Sequence, residues 1–324
     1  MTDSATDPQV PTASDPVPLP SLSGPRPDWL RQLFFGREGL RPGWGLLLYL
    51  VLFRLMITAA QVVLRPAMHR VAHTVWHDFF QNVVLATCVV VPAVVMSRIE
   101  KRPFGVYGLP GREALGKSFL CGVVWGFAAL SLLLLTLRGL HAFYFGSLAV
   151  HGTRAVKFAL FWGVVFLLVA VVEEFLLRGY TQFTLARGIG FWPAAVVLSV
   201  LFAWLHLGNP GENRIGILAV ALIALFWCFT LRRTGSLWFA LGLHASWDWA
   251  ESYFYGVPDS GGMSPGHLLS PSSQGPAWLS GGSVGPEGSV LVFAVIALMF
   301  ILFHFAFPRL PVGGTGVPAR AEVT

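Results

Sequence analysis

Glu173 and Glu174 stand side by side in the apolar run AVKFALFWGVVFLLVAVVEEFLLRGY, and Arg178 follows four residues after Glu174. A charged side chain at the centre of a bilayer costs roughly 2.5–3.5 kcal/mol or more unless it is paired or faces a wet cavity. Glu174 and Arg178 sit one helical turn apart with the acid first, the favourable order for an intrahelical pair. Glu173 is rotated by about 100° from that face and must answer to something else. Two further apolar stretches repeat the spacing: Phe202 precedes His206 by four, and His244 precedes Asp248 by four. Glu251, three beyond Asp248, extends that polar stripe. Buried ionisable groups need one another to offset desolvation, so these side chains are expected to share one cavity. Glutamate with histidine is equipment for activating water. The chemistry expected is hydrolysis, with His244 as the group to hold a developing oxyanion. Ser246 lies two residues from His244 and points to a different face, so a serine nucleophile has less support.

Other patterns carry less. GREALGKS at 111–118 matches a phosphate-loop pattern through Gly111, Gly116, Lys117 and Ser118. That motif needs a strand before it and a soluble α/β domain around it, and neither is read here. His69, His73 and His77 fall at i, i+4 and i+8, one face of an interfacial helix. Arg54 in the first apolar stretch is read as snorkelling or as a partner for a buried acid. His304 has no polar partner at helical spacing and reads as packed or lumen-facing.

The elements that position these residues are membrane helices. The 324-residue chain is 55% hydrophobic and 12% charged, a membrane composition. Apolar runs of spanning length are expected at about 44–65, 79–97, 118–138, 157–180, 190–207, 215–231, 235–255 and 288–308. The fold class is therefore all-α, a polytopic bundle of about eight transmembrane helices. Residues 1–43 read as a disordered cytoplasmic tail, 44–308 as the membrane domain with its motif core at 155–255, and 309–324 as a C-terminal tail. Residues 1–24 lack the basic start and apolar core of a signal peptide. Cys88, Cys121 and Cys228 fall in spans without metal-ligand spacing. The net charge of +6 is gathered beside spans, at Arg26–Arg41, Arg98–Lys117 and Arg232–Arg233. This follows the positive-inside rule rather than nucleic-acid binding, and it puts both termini in the cytoplasm of a multi-pass cell-membrane protein. The Gly-, Ser- and Pro-rich stretch from Pro258 to Gly288 then reads as an external loop. With this topology Glu173 and His244 fall in the inner half and His206 near the outer end. Convergence requires tilted helices or a fifth span that starts later.

EExxxR (Glu173, Glu174, Arg178), FxxxH (Phe202, His206) and HxxxD (His244, Asp248), in that order in membrane helices, resemble the CPBP family. These are CAAX prenyl-protein endoproteases and bacteriocin-processing enzymes, also called Abi. The resemblance implies an eight-span intramembrane protease. In it Glu173 and His206 activate water, His244 and Asp248 stabilise the oxyanion or bind metal, and Glu174, Arg178 and Phe202 support the site. It leaves open a metal-dependent route, with Glu173, His206, His244 and Asp248 as ligands to a divalent metal such as zinc, and a metal-free glutamate route. The last motif often ends in Asn. Asp248 departs from this, and an ionised carboxylate cannot donate to an oxyanion.

The expected function is an endopeptidase acting on a peptide or membrane-anchored protein in the bilayer, with no nucleotide or nucleic-acid partner. High Arg, Ala and Gly usage with three lysines fits a GC-rich bacterial genome, where the substrate would be a bacteriocin precursor, a signalling peptide or an anchored regulator. The alternative is a non-catalytic scaffold or immunity factor of the same fold. A proton-coupled transporter would call for broken half-helices or inverted repeats, which are not read here.

Overall fold

In the computed structural model, which describes residues 29–36 and 39–308, the chain is a helical membrane bundle with two small two-stranded sheets. Residues 1–28 of the tail expected at 1–43, and the tail expected at 309–324, lie outside the described residues. A short helix α1 (Trp29–Phe34) and a hairpin of β1 (Phe35–Gly36) and β2 (Gly39–Leu40) lead into α2 (Pro42–Val71). α2 has Pro42 in its first turn, where a missing N–H costs nothing. α3 (Trp76–Ile99) returns beside it, and two 3₁₀ turns, Phe104–Tyr107 and Gly111–Glu113, precede α4 (Lys117–Gly139). Then come β3 (Phe143–Leu148), α5 (Gly152–Leu176), a π turn (Leu177–Thr181), α6 (Gln182–Ile189), α7 (Phe191–His206) and α8 (Arg214–Thr234). α9 (Trp238–Trp249) runs into a second π turn (Ala250–Tyr255). It is followed by β4 (Leu269–Ser273), α10 (Ala277–Ser280), a 3₁₀ turn (Pro286–Gly288) and α11 (Leu291–Ala306).

Each of the eight apolar stretches is helical over most of its length. Five helical runs among the described residues are long and apolar enough to cross a membrane: α2, α3, α4, the continuous run Gly152–Ile189, and α8. α7 and α11 have 16 residues each and α9 has 12, shorter than a 30 Å crossing requires.

The run Gly152–Ile189 explains how the site is assembled. It continues helically past the end expected near residue 180, through the π turn, where Gly179 alone leaves helical geometry (φ −82°, ψ −118°). The chain reverses at Gly190 (φ +87°) and climbs back as α7. Glu173 lies 17 residues before Gly190 and His206 lies 16 after it. The descending arm is longer than expected and bends at Gly179, and Glu173 and His206 both line one cavity.

α9, which carries His244 and Asp248, is held by backbone contact. Gly122 and Gly126 lie one turn apart on α4 and face α9. A side chain at Gly122 would strike the Phe239 carbonyl, and one at Gly126 the Leu243 carbonyl, while a side chain at Gly242 would strike the Phe119 carbonyl. Small residues four apart let membrane helices touch without intervening side chains. On its other side α9 is tied to α5. Trp249 Nε1 donates to the Ala159 carbonyl at 2.8 Å, and Tyr253 Oη to that of Ala155 at 2.7 Å. α8 is capped by Asn213, whose Oδ1 accepts from the amides of Ile215 (2.8 Å) and Gly216 (3.1 Å). It ends at Gly235 in the left-handed region (φ 71°).

Candidate active site

The Glu174–Arg178 pair forms as its spacing predicts. Arg178 Nη1 donates to Glu174 Oε1 at 3.3 Å, with both side chains fully buried. The same oxygen accepts from His244 Nδ1 at 3.1 Å. Glu174 thus bridges α9 and the π turn, and fixes which face of the His244 ring looks into the bundle. The guanidinium of Arg178 lies over the rings of Phe202 (4.4 Å) and Trp227 (5.2 Å), cation–π contacts that matter more where water is excluded. Trp227 also stacks on His244, with centroids 4.4 Å apart and planes 15° from parallel.

On the opposite edge of the ring, His244 Nε2 is 3.4 Å from Asp248 Oδ2 and 3.7 Å from Glu173 Oε2. Glu173 is turned away from Glu174, as helix geometry requires, and 32% of its side chain is exposed, whereas Glu174 has none. Phe202 packs edge-on against His206 at 4.4 Å, and its carbonyl accepts from His206 Nδ1 at 2.8 Å. A carbonyl can only accept, so Nδ1 carries the proton and Nε2 of the neutral ring is left as an acceptor.

Glu173, Phe202, His206, His244 and Asp248 line one cavity of about 320 Å³. Its wall also includes Asn209, Trp227, Trp247, Asp259, Ser260 and Glu287. The motif residues are thereby brought to one place, with Glu174 and Arg178 immediately behind the wall. Trp227, Asp259, Ser260 and Glu287 are missed by sequence reasoning. Trp227 gave no signal among the chain's twelve tryptophans. Asp259 and Glu287 did: they are the only acids between Pro258 and Gly288 and stand at the two ends of that loop. Burial, followed by the charge of Glu287, pushes Asp259 up to about 7. Burial also raises Glu287, whose Oε1 accepts from Trp247 Nε1 (3.0 Å) and Oε2 from Ser260 Oγ (3.1 Å).

A metal held by Glu173, His206, His244 and Asp248 would need their ligand atoms gathered around one point. Among the described residues, the acid–histidine–cysteine group with ligand atoms within 4.8 Å of one another is Glu251, Asp259 and Glu287. The expected zinc set lines the cavity but is not gathered in that way.

The remaining candidates separate from the site. Ser246 Oγ donates to the Leu243 carbonyl at 3.1 Å and lies outside the cavity wall. Arg54 is exposed on α2. Gly111–Glu113 is a single 3₁₀ turn and Lys117 opens α4. The three histidines expected on one helix do not share one. His69 is at the end of α2, His73 is in the turn and His77 begins α3, because the chain reverses at Thr74, whose amide bonds back to Val71. His304 does have a partner, from another helix: Arg233 Nη2 at 2.8 Å. Glu251 lies in the π turn after α9, fully buried and off the cavity wall.

Fold and site together define a helical membrane protein whose core helices build an acid- and histidine-lined cavity. Residues 155–250, which carry all three motifs, match the family model described as type II CAAX prenyl endopeptidase Rce1-like, and this match supports the CPBP/CAAX protease family and a protease of CAAX type embedded in the membrane. It spans just under a third of the chain. No curated protein and no solved structure matches.

Proposed function

We propose that the chain is an intramembrane endopeptidase that hydrolyses a peptide bond of a membrane-associated protein or peptide with water activated by Glu173 and His206. The carrying observation is the division of the glutamate doublet. Glu174 is buried and used by Arg178 and His244, while Glu173 opens onto the cavity beside His244 and on the same wall as His206.

In this reading water sits between Glu173 and the acceptor Nε2 of His206. Glu173 takes its proton as the water oxygen bonds to the scissile carbonyl carbon. His244, held by Glu174 and stacked on Trp227, presents Nε2 to the oxyanion and donates there in its imidazolium form. The C–N bond then breaks and the proton on Glu173 passes to the leaving nitrogen. Glu174 is a positioning residue, and Asp248 orients the Nε2 edge of His244. The substrate is a segment whose scissile bond reaches the cavity. The family's name points to prenylated CAAX tails, and a bacterial peptide precursor or anchored regulator presents the same chemistry.

The test is cleavage of a membrane-peptide library by purified protein in liposomes. Wild type should cleave, and Glu173→Ala should lose at least ~100-fold, the scale of removing a general base. Equal cleavage by the two proteins would overturn the assignment.

A further inference from the structure

We infer that Glu251, Asp259 and Glu287 form a binding site for a hard divalent cation of the calcium class, separate from the hydrolytic residues. One carboxylate oxygen from each lies within 4.8 Å of the others. Calcium–oxygen bonds of about 2.3–2.6 Å place ligand atoms at up to about that separation across one ion. Three acids close together do not make a site, and a second observation points to a ligand. Glu251 is fully buried, and neither of its carboxylate oxygens has a hydrogen-bond partner. A buried carboxylate without compensation is among the costliest arrangements in a protein.

The surroundings do not neutralise the group. Ser252 Oγ donates to Asp259 Oδ2 at 3.1 Å, and Ser260 and Trp247 donate to Glu287. These donors are neutral; Trp247 also lies near Glu251 but satisfies neither of its carboxylate oxygens. Among the described residues no Lys or Arg forms an ion pair with any of the three. The donor atoms are all carboxylate oxygens, a set that selects hard cations over zinc. Asp259 and Glu287 also line the cavity, which gives an ion a way in. The three acids come from the turn ending α9, the loop after it and the turn before α11. An ion there would clamp both ends of the 256–290 connection to the helix that carries His244.

Trp247 supplies the probe, since its indole nitrogen touches Glu287 at 3.0 Å and can sensitise a bound lanthanide. Purified full-length protein, stripped with EGTA in detergent, is titrated with Tb³⁺ under tryptophan excitation. Calcium displaceable emission is expected, along with a Ca²⁺-dependent rise in Tm because the ion binds only the folded state. Glu251→Gln and Glu287→Gln should each weaken Tb³⁺ binding at least tenfold, and Glu173→Gln should leave it unchanged. In EGTA, Glu251→Gln should be at least as stable as stripped wild type, because repulsion is relieved. With Ca²⁺ it should gain nothing. Three results would each overturn the site: no displaceable emission, the same Ca²⁺ shift in Glu251→Gln, or an EGTA-treated variant less stable than stripped wild type, which would mean the Glu251 carboxylate is already satisfied without an ion. Binding is read without turnover, so failure of the protease reading leaves this result standing, and the reverse.

Discussion

Adjacent glutamates with opposite fates give the sharpest residue-scale contrast. Glu173→Gln should abolish cleavage and leave the unfolding free energy within about 1 kcal/mol of wild type, as expected for a partly exposed side chain. Glu174→Gln leaves Arg178 as an uncompensated buried charge, which costs about 3–5 kcal/mol, so stability and activity should fall together in a thermal melt and a cleavage assay. If Glu173→Gln instead leaves the biological phenotype intact, the chain acts as a scaffold of the same fold. Asp248→Asn should retain cleavage, because an amide can still orient Nε2 of His244. A folded but inactive Asp248→Asn protein would demand a carboxylate there. Much of this was readable in the letters. Glu174–Arg178 and His244–Asp248 are four-residue pairs within helices, where spacing alone sets proximity. That Glu174 also holds Nδ1 of His244, and that Trp227 stacks on that ring, depends on how α5, α8 and α9 pack. No spacing rule reaches across helices.

At the scale of elements, α4 and α9 meet backbone to backbone through Gly122, Gly126 and Gly242. Gly126→Leu should force the helices apart and lower Tm by many degrees, with cleavage lost. Gly111→Ala, in the phosphate-loop look-alike, meets nothing within 4 Å and should change neither. A Gly111 variant as damaged as Gly126→Leu would sink this account of the contact. The apolar stretches announced the helices, and five of the helical runs among the described residues have spanning length. Hydropathy did not show that the fourth run continues to Ile189. The segment after residue 180, TQFTLARGI, is mixed in polarity and reads as a connection. It is helical because Gln182, Phe183, Thr184 and Ala186 are buried against the neighbouring helices.

For the whole molecule, orientation and metal use each carry a prediction. Cys88 and Cys228 are buried and Cys121 is half-buried, so a cysteine placed at Ser260 reports on its own side of the membrane. With cytoplasmic termini, Ser260→Cys in intact cells should react with an impermeant maleimide. Labelling only after permeabilisation would invert the topology. The zinc chelator phenanthroline should leave cleavage unchanged, since the scheme routes no step through a metal. Rapid loss, restored by added zinc, would favour the metal route. The loop that caps the cavity was the least legible part. Its Gly-, Ser- and Pro-rich composition suggested only exposure, while Asp259, Ser260 and Glu287 bring polar groups to the cavity wall. The reversal at Gly190 has a further meaning. His206 stands 16 residues beyond it on α7, so the length of that arm sets both the height and the direction of the ring. Deleting one residue between Gly190 and His206 would turn the ring by about 100° and lower it by 1.5 Å. Inserting four would nearly restore its direction but lift it by about 6 Å. No single change in the length of α7 recovers both phase and height.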